Sequence, residues 1–485
     1  MDAFSLIVRD VGVWLWTYIF GVALVVGGIY LTIKMKFVQF TTFSDSFRLI
    51  VGKDREANQN VSEANKPQNS LSVFQSFCIA EASRVSTGNV VGVAAAILMG
   101  GPGSIFWMWM MAFIGACTGF VESTLAQIYK ENHGDRFMGG PMYYFQRAFK
   151  NKAPCYVIAI IIAFVYGFVF NSIHSNTITD LFQAYVPHRI VVGIAIAALY
   201  AFIIFGGLKR IVQMAVGIMP FVIIFYLLVC IGVILLNIPL FFATMGYIVR
   251  AAFGYEQIAG GAVGFYIGHA VQQGLRRGLF SNEAGLGTVP IAAATSAVSH
   301  PVKQGLVQGA GVFLDTIIIC SATAFLILMS GAHTEAFATG NVTGIMLVRN
   351  SFSYWIGAFA NPFINLMMLL LPITSIIGNY FYGETCVRFV SKKPSAIIFY
   401  KVLTVALIIA ASLAPFAFVW NMADIFTGIL VTFNIIVLFK LGNIVAAALE
   451  DYKKQLKAFK KGEGPEPVFY DDEIGIDTPY WKRNR

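Results

Sequence analysis

The stretch Glu81-Ala-Ser-Arg84-Val-Ser86-Thr87-Gly88-Asn89-Val-Val-Gly92-Val-Ala-Ala-Ala-Ile97 places small and polar residues at the midpoint of an apolar run long enough to cross a bilayer. In lipid every backbone polar group must find a partner inside the protein, so a span broken at this depth is built only where it lines a protein-enclosed or water-filled space. A second interrupted run, Arg277-Gly-Leu-Phe-Ser281-Asn282-Glu283-Ala-Gly285-Leu-Gly287, occupies the matching place in the second half of the chain. Paired broken spans are the best pointer that sequence offers to a transporter's central binding site.

Composition agrees with a membrane setting. The chain has 485 residues, of which 57% are hydrophobic and 12% charged, against a charged fraction of about 25% in soluble proteins. Its lipid bilayer is therefore its solvent, and the reading is an all-α integral membrane protein. The net charge of +9 is carried by loops and tail, where basic residues orient spans, so it does not point to nucleic acid. Six scattered cysteines form no C-x-x-C pair, which argues against disulfide or metal chemistry.

Eleven transmembrane helices are expected, at about 12–33, 71–99, 104–129, 155–185, 189–206, 211–236, 262–296, 305–330, 352–385, 396–416 and 418–445. The first is a retained span, because it is long, follows little positive charge and precedes no small-residue cleavage site. Counted on alternate sides of these spans, Lys and Arg divide 26 to four, with four more inside spans. That bias places the N-terminus outside and the tail in the cytoplasm of a multi-pass plasma (bacterial inner) membrane protein.

The expected divisions are 1–70 (first helix and cytoplasmic loop), a five-helix repeat 71–236, a second five-helix repeat 262–445, and a tail 446–485. Five is odd, so the second repeat enters the membrane opposite to the first. One helix plus a 5+5 inverted repeat with two discontinuous helices is the plan of LeuT-type transporters.

Within the first break the resumed half-helix starts with exposed N–H groups and the positive end of its dipole, which suits a carboxylate. Thr87 and Asn89 offer side-chain oxygens, and released carbonyls can hold a small cation. The competing reading is packing, since Gly88-x-x-x-Gly92 commonly lets two helices approach. In the second break, Ser281 and Asn282 are expected to cap a restarted half-helix with Glu283 in its first turn. So deep an acid needs a partner: Arg276, Arg277 and Arg84 are the candidates for a structural ion pair, with direct cation ligation as the other reading. Gly285 and Gly287 suit close packing.

In the ninth span, Pro372 frees a carbonyl near the hydroxyls of Thr374 and Ser375, an oxygen set fit for a hard cation or for simple helix contact. Asn171-Ser-Ile-His174-Ser-Asn176-Thr177 is a polar cluster inside the fourth span. His174 is a candidate substrate contact or proton site, or a packing residue. Glu122 and Glu384 are placed near the cytoplasmic face, beside interfacial positive charge; Asp315 has no evident partner in the sequence. There is no P-loop, no G-x-S-x-G and no metal-ligand cluster, so neither ATP-driven transport nor an enzyme is indicated.

The chain resembles the alanine or glycine:cation symporter family, the sodium:alanine symporters. The resemblance covers nearly the whole chain and is carried by Thr87-Gly-Asn-Val-Val-Gly-Val, Gly100-Gly-Pro-Gly-Ser-Ile-Phe-Trp-Met-Trp109, Val121-Glu-Ser-Thr-Leu-Ala126, Ser281-Asn-Glu-Ala-Gly-Leu-Gly287, His300-Pro-Val-Lys-Gln-Gly-Leu and Gly311-Val-Phe-Leu-Asp315-Thr. It implies a LeuT-type core and alternating-access symport of small neutral amino acids such as alanine or glycine, driven by Na⁺ or H⁺, with no other cofactor. It further implies a carboxylate and cation held by Thr87, Gly88, Asn89 and the Ser281, Asn282, Gly285 stretch, with Thr374, Ser375 and Ser86 completing a sodium site. His174-Ser-Asn176 stands where the family typically has a Gln-Ala-Asn-type segment that contacts substrate, and the segment Ser375 to Glu384 lacks a Trp that is frequent there. Val121 to Ala126 looks most like the glutamine branch, which keeps glutamine as the alternative cargo. Readings of another class are an amino-acid channel or a sensor.

Overall fold

The computed structural model describes residues 10–52, 67–183, 185–254, 263–340, 342–414 and 416–483. Arg9, Lys53, Arg55, Lys66 and Arg485 of the charge count lie outside the described residues. The protein is an all-α integral membrane protein. Its first half holds α1 (Asp10–Lys34), α2 (Val73–Arg84), α3 (Val91–Gly100), α4 (Ser104–Ile128), α5 (Ala153–Phe182), α6 (Arg189–Ile204) and α7 (Gly207–Leu236). After α8 (Ile238–Ala252) come α9 (Val263–Asn282), α10 (Val289–Ala294), α11 (Pro301–Ser330), α12 (Gly344–Ile356), α13 (Ala360–Val390), α14 (Pro394–Ala411) and α15 (Phe416–Lys460). A two-residue hairpin, β1 (Glu131–Asn132) with β2 (Phe137–Met138), follows α4.

Among the described residues, eight units are long and apolar enough to cross a membrane unaided: α1, α4, α5, α7, α11, the α12–α13 unit, α14 and α15. The pieces α2, α3 and α10 are shorter because each run is broken, and α9, though 20 residues long, is too polar to be counted with them. Proline marks several starts, sitting in the first turn of α5, α10, α11 and α14, where no intrahelical N–H is lost. Pro220 and Pro372 lie inside α7 and α13 without ending them. Three features differ from the sequence reading: the connection after 236 is itself helical (α8), α12 precedes the ninth span, and the last helix runs on to Lys460 before any tail begins.

The polarity of the molecule is inverted relative to a soluble domain. Phe202, Leu228, Leu236 and Phe399 point outward and are exposed, while Arg84, Asn89, Glu122, Glu283 and Asp315 are almost wholly buried. Apolar solvent removes the penalty for surface Leu and Phe, and the polar groups inside must satisfy one another. Two π-helical turns, Val165–Val169 within α5 and Phe313–Cys320 within α11, face the broken helices. Such turns recur at functional sites because the extra residue re-aims side chains; here they carry Tyr166 and Asp315.

Candidate functional site

α2 stops at Arg84 because the chain turns extended at Val85 (φ −75°, ψ 93°) and Ser86 (φ −139°, ψ −163°) before a single 3₁₀ turn, Thr87–Asn89. The break is held by its own side chains. Ser86 N donates to Asn89 Oδ1 at 2.8 Å and Gly88 N to Ser86 Oγ at 3.2 Å. Continued helix would have used those two N–H groups on the carbonyls of Ala82 and Arg84, which are thereby released. Val90 then supplies no side-chain cap to α3, so the first N–H groups of that half-helix face the break with the positive end of its dipole. Gly88 cannot carry a side chain without displacing a ring: a Cβ there would stand 2.9 Å from Phe280 Cδ1.

Asn89 ties this break to the second. Its Nδ2 donates to Asp315 Oδ1 at 2.5 Å and lies 3.2 Å from Ser281 Oγ, while its carbonyl accepts from Thr323 Oγ1 at 2.8 Å. Asp315 also accepts from Ser281 Oγ and from Thr316 Oγ1 (3.0 Å), and Asn282 Nδ2 donates to Thr316 Oγ1 at 3.2 Å. Asp315, without a partner in sequence, is thus the point on which the turn of the first break, α9 and α11 converge. His174 of α5 reaches the first break from the other side, its Nδ1 3.1 Å from Thr87 Oγ1.

The second break is made by backbone. Glu283 N closes the last turn of α9 on Leu279 O at 2.9 Å; Glu283 itself then turns left-handed (φ +54°), followed by Gly285 (φ +86°) and Gly287 (φ +79°). Alternating handedness points successive N–H groups into one concavity, an anion nest. The nest is filled by the Glu122 carboxylate: Gly285 N donates to Oε1 and Gly287 N to Oε2, each at 3.0 Å, and Asn434 Nδ2 to Oε2 at 2.8 Å. Asn434 also donates to Gly285 O at 2.9 Å and is fixed by Tyr144 Oη at 2.7 Å.

This geometry corrects several expectations. Ser281 and Asn282 end α9 rather than cap α10, which restarts only at Val289, because the left-handed residues between them cannot be helical. Glu283 is not paired with Arg276 or Arg277, which lie about two turns earlier on the same helix, roughly 10 Å along its axis. Those arginines pair with Asp424 of α15, Arg277 Nη2 at 2.6 Å and Arg276 Nη1 at 3.6 Å. Glu283 instead accepts from Ser83 Oγ (2.8 Å) and Thr288 Oγ1 (3.2 Å). Arg84 pairs with Glu81 at 3.1 Å, and a Cβ on Gly311 would intrude 2.4 Å from both. Glu122 sits in the nest rather than beside interfacial charge, whereas Glu384 does meet such charge, Arg388 Nε at 2.7 Å and Arg136 at 3.6 Å.

Asn176 is turned away from both breaks: its Nδ2 donates to Ala414 O at 2.6 Å, beyond the C-terminal end of α14. Thr177 bonds its own helix at Ile173 O (2.8 Å), as do Thr374 at Leu371 O (2.8 Å) and Ser375 at Leu371 O (2.9 Å). One turn beyond those hydroxyls, Gly378 packs on Ser83, where a Cβ would stand 2.9 Å from Ser83 N. Asn379 completes the contact, its Oδ1 2.7 Å from Ser83 Oγ and its Nδ2 donating to Asn171 Oδ1 at 2.9 Å. A cavity of about 1150 Å³ lies beside α1, walled by Val25, Met99, Gln273, Arg277 and Asp424. Trp420 at its edge packs on Phe280, ring centroids 4.9 Å apart, so two rings stand between this cavity and Gly88.

Comparison with known proteins converges on one family. A model of the sodium:alanine symporter family matches residues 1–466. Relatives include the probable sodium/glutamine symporter GlnT of Bacillus subtilis, 42% identical over 94% of this chain and 91% of that protein. The amino-acid carrier protein AlsT of the same organism is 42% identical over 94% of this chain and 92% of its own length. The sodium/alanine symporter AgcS of Methanococcus maripaludis is 30% identical over 94% and 98% respectively.

Proposed function

The chain belongs to the sodium:alanine symporter family, and from that premise we propose that it is a secondary transporter that moves a small neutral amino acid, alanine or glycine, together with Na⁺ by alternating access. The observation that carries this reading is the first break. It offers an uncapped helix start beside Thr87 and Gly88 for a carboxylate, and the released carbonyls of Ala82 and Arg84 for a cation, within a few residues of each other. Na⁺ is a hard ion that takes oxygen ligands, as carbonyls and hydroxyls provide. On this reading Thr374 and Ser375 turn their hydroxyls from the Leu371 carbonyl toward the ion when it arrives, and Ser86, whose Oγ accepts from Gly88 N in the break, adds a third hydroxyl oxygen.

The coupling follows from shared atoms. A cation at the Ala82 and Arg84 carbonyls fixes the turn Ser86–Asn89, whose geometry sets the carboxylate pocket. Asn89 passes the state of that turn to Asp315 and Ser281, and hence to the second broken helix. Each ligand can shift the conformational equilibrium only by its differential affinity for the two states, so joint binding at one turn is what makes the transport stoichiometric. The charge bias orients the protein with its N-terminus outside and its tail in the cytoplasm, in the plasma membrane. The 5+5 LeuT-type repeat is the arrangement that fits two broken helices tied across their middles.

A second cargo, glutamine, is favoured by His174, whose ring against Thr87 offers a polar contact to a longer side chain, and by the similarity to a probable sodium/glutamine symporter. H⁺ in place of Na⁺ is the variant on the coupling side. Uptake into proteoliposomes under an imposed sodium gradient, with counterflow against alanine, glycine, serine and glutamine, tests the proposal. Concentrative, sodium-dependent uptake supports symport; downhill flux that ignores the gradient would mark a channel, and binding without flux a sensor.

A further inference from the structure

Beyond the transport site, the chain after α15 folds back onto the ends of the two broken helices. Gln455 brackets Val468, its Oε1 accepting from Val468 N and its Nε2 donating to Val468 O, both at 2.9 Å. Ser299 Oγ donates to Pro467 O at 2.8 Å, Phe469 N to Ser299 O at 3.0 Å, and Lys303 pairs with Glu466. Residues 471–481 close on themselves, Asp471 N to Trp481 O at 3.0 Å, with Asp471 Oδ2 accepting from both Thr478 N and Thr478 Oγ1 at 3.0 Å. This loop presents Trp481, whose Nε1 donates to Gln127 O of α4 at 2.8 Å.

The loop also completes an aromatic enclosure around Lys130. The ammonium lies 4.1 Å from the Phe137 ring centroid, 4.9 Å from Tyr480 and 4.8 Å from Trp481, and donates to Ser296 O at 3.0 Å. Burial pushes the Lys130 pKa well below the usual lysine range; three ring faces and a carbonyl are the groups that favour its charged form. The tail supplies two of those three rings.

What lies under the tail is the junction of the broken helices. Just after α10, Leu71 N donates to Thr295 O at 3.1 Å and Ala297 N to Leu71 O at 3.0 Å, a parallel bridge that joins the entry of α2 to the exit of α10. Ser76 Oγ adds a bond to Ala292 O at 2.7 Å, and Gln127 Nε2 holds Ala293 O at 2.5 Å and Ser296 O at 3.1 Å. Residues 292–299 therefore touch α2, α4 and the tail at once. To part α2 from α10 on this side, the bridge must break, and the tail's bonds to Ser299, Gln127 and Lys130 resist that movement.

We infer that residues 466–481 are a latch that docks on Gln127, Lys130, Ser299 and Lys303, keeps α2 and α10 bridged, and must loosen for that side of the transporter to open. The family match ends at residue 466, so nearly all of the latch lies beyond the part of the chain that the family model covers. The inference is independent of which amino acid is carried.

The test is hydrogen exchange on the full-length protein in lipid nanodiscs, wild type against Trp481→Ala, Trp481→Phe and a chain ending at Gly464, each checked for a monodisperse elution profile. Loss of the latch should speed exchange of peptides containing Leu71 and Ala297 by about tenfold, while the amides of Gly285 and Gly287, held by Glu122, keep their protection. Trp481→Phe, which keeps a ring over Lys130 and loses the bond to Gln127, should fall between. In proteoliposomes the Trp481→Ala protein should show a raised KM for substrate offered on the side away from the tail, with kcat retained. Unchanged exchange at Leu71 and Ala297 in Trp481→Ala would overturn the inference, as would acceleration spread equally over Gly285 and Gly287. Should the shortened chain fail to fold, the two point variants carry the same decision.

Discussion

The two broken helices are built on opposite plans. In the first, side chains make the break: Ser86 and Asn89 capture each other's turn, and the start of α3 stays uncapped. In the second, backbone handedness makes the break, and the resulting nest of N–H groups is occupied by the protein's own carboxylate, Glu122. An N–H concavity in low dielectric is a strong anion site. The molecule thus has two places suited to an anion and supplies its own acid to one of them. The difference teaches which is the scaffold and which is the pocket: the filled break is fixed, and the open one is available to an amino-acid carboxylate.

The sharpest way to break that comparison is to untie the two sites. Asn89→Ala strips Asp315 of its amide donor and opens the first turn; a hydrogen bond to a charged group contributes about 1.5–3 kcal/mol, so sodium-driven uptake should fall by roughly 10- to 100-fold. Uptake within a few-fold of wild type would show that Asn89 does not join the breaks. Glu122→Gln addresses the filled site: an amide can accept one of the two glycine N–H groups and leaves the other buried and unpaired, a penalty of about 1–3 kcal/mol. Thermal stability should drop and kcat should fall by roughly tenfold, with Glu122→Asp recovering part of each. A variant with a normal melting profile and reduced substrate affinity alone would instead make Glu122 part of the pocket.

Smaller effects sharpen the contrast. Gly88→Ala places a methyl against Phe280, a ring that can shift, so KM should rise severalfold with kcat little changed. His174→Gln should alter the ratio of alanine to glutamine uptake and leave sodium dependence as it was; a matched loss for every amino acid would assign His174 to packing. Ser375→Ala removes one hydroxyl worth about 1 kcal/mol and should raise the sodium concentration for half-maximal uptake by about fivefold, with no change in amino-acid preference.

Much of this was legible in the sequence because lipid makes polarity conspicuous. Ser86-Thr87-Gly88-Asn89 and Ser281 to Gly287 stand out from apolar flanks, and both do interrupt helices where the runs predicted. What could not be read was which partner each buried group takes. Glu122 finds Gly285, Gly287 and Asn434 through main-chain N–H groups, to which side-chain patterns give no clue, and Asp424 claims both arginines from a helix late in the chain. Glu283 looked like the first residue of a restarted helix, yet its left-handed backbone delays the restart to Val289. Gly285 and Gly287, two positions apart, were the available signal for that detour. Asn176 shared a helix with His174 but not a face, being two positions on. The tail read as a solvated basic segment, although Phe469, Tyr480 and Trp481 were aromatic anchors waiting for a surface.

The central claim is that the first break binds amino acid and Na⁺ jointly while the second carries its own anion. Isothermal titration of alanine into the purified protein, with sodium and with choline in its place, tests it most directly when run in parallel on wild type, Asn89→Ala and Glu122→Gln. The account predicts binding heat in wild type only when sodium is present, none in Asn89→Ala, and retained sodium-dependent binding in whatever fraction of Glu122→Gln remains folded. Equal alanine affinity without sodium, or wild-type affinity in Asn89→Ala, would contradict it.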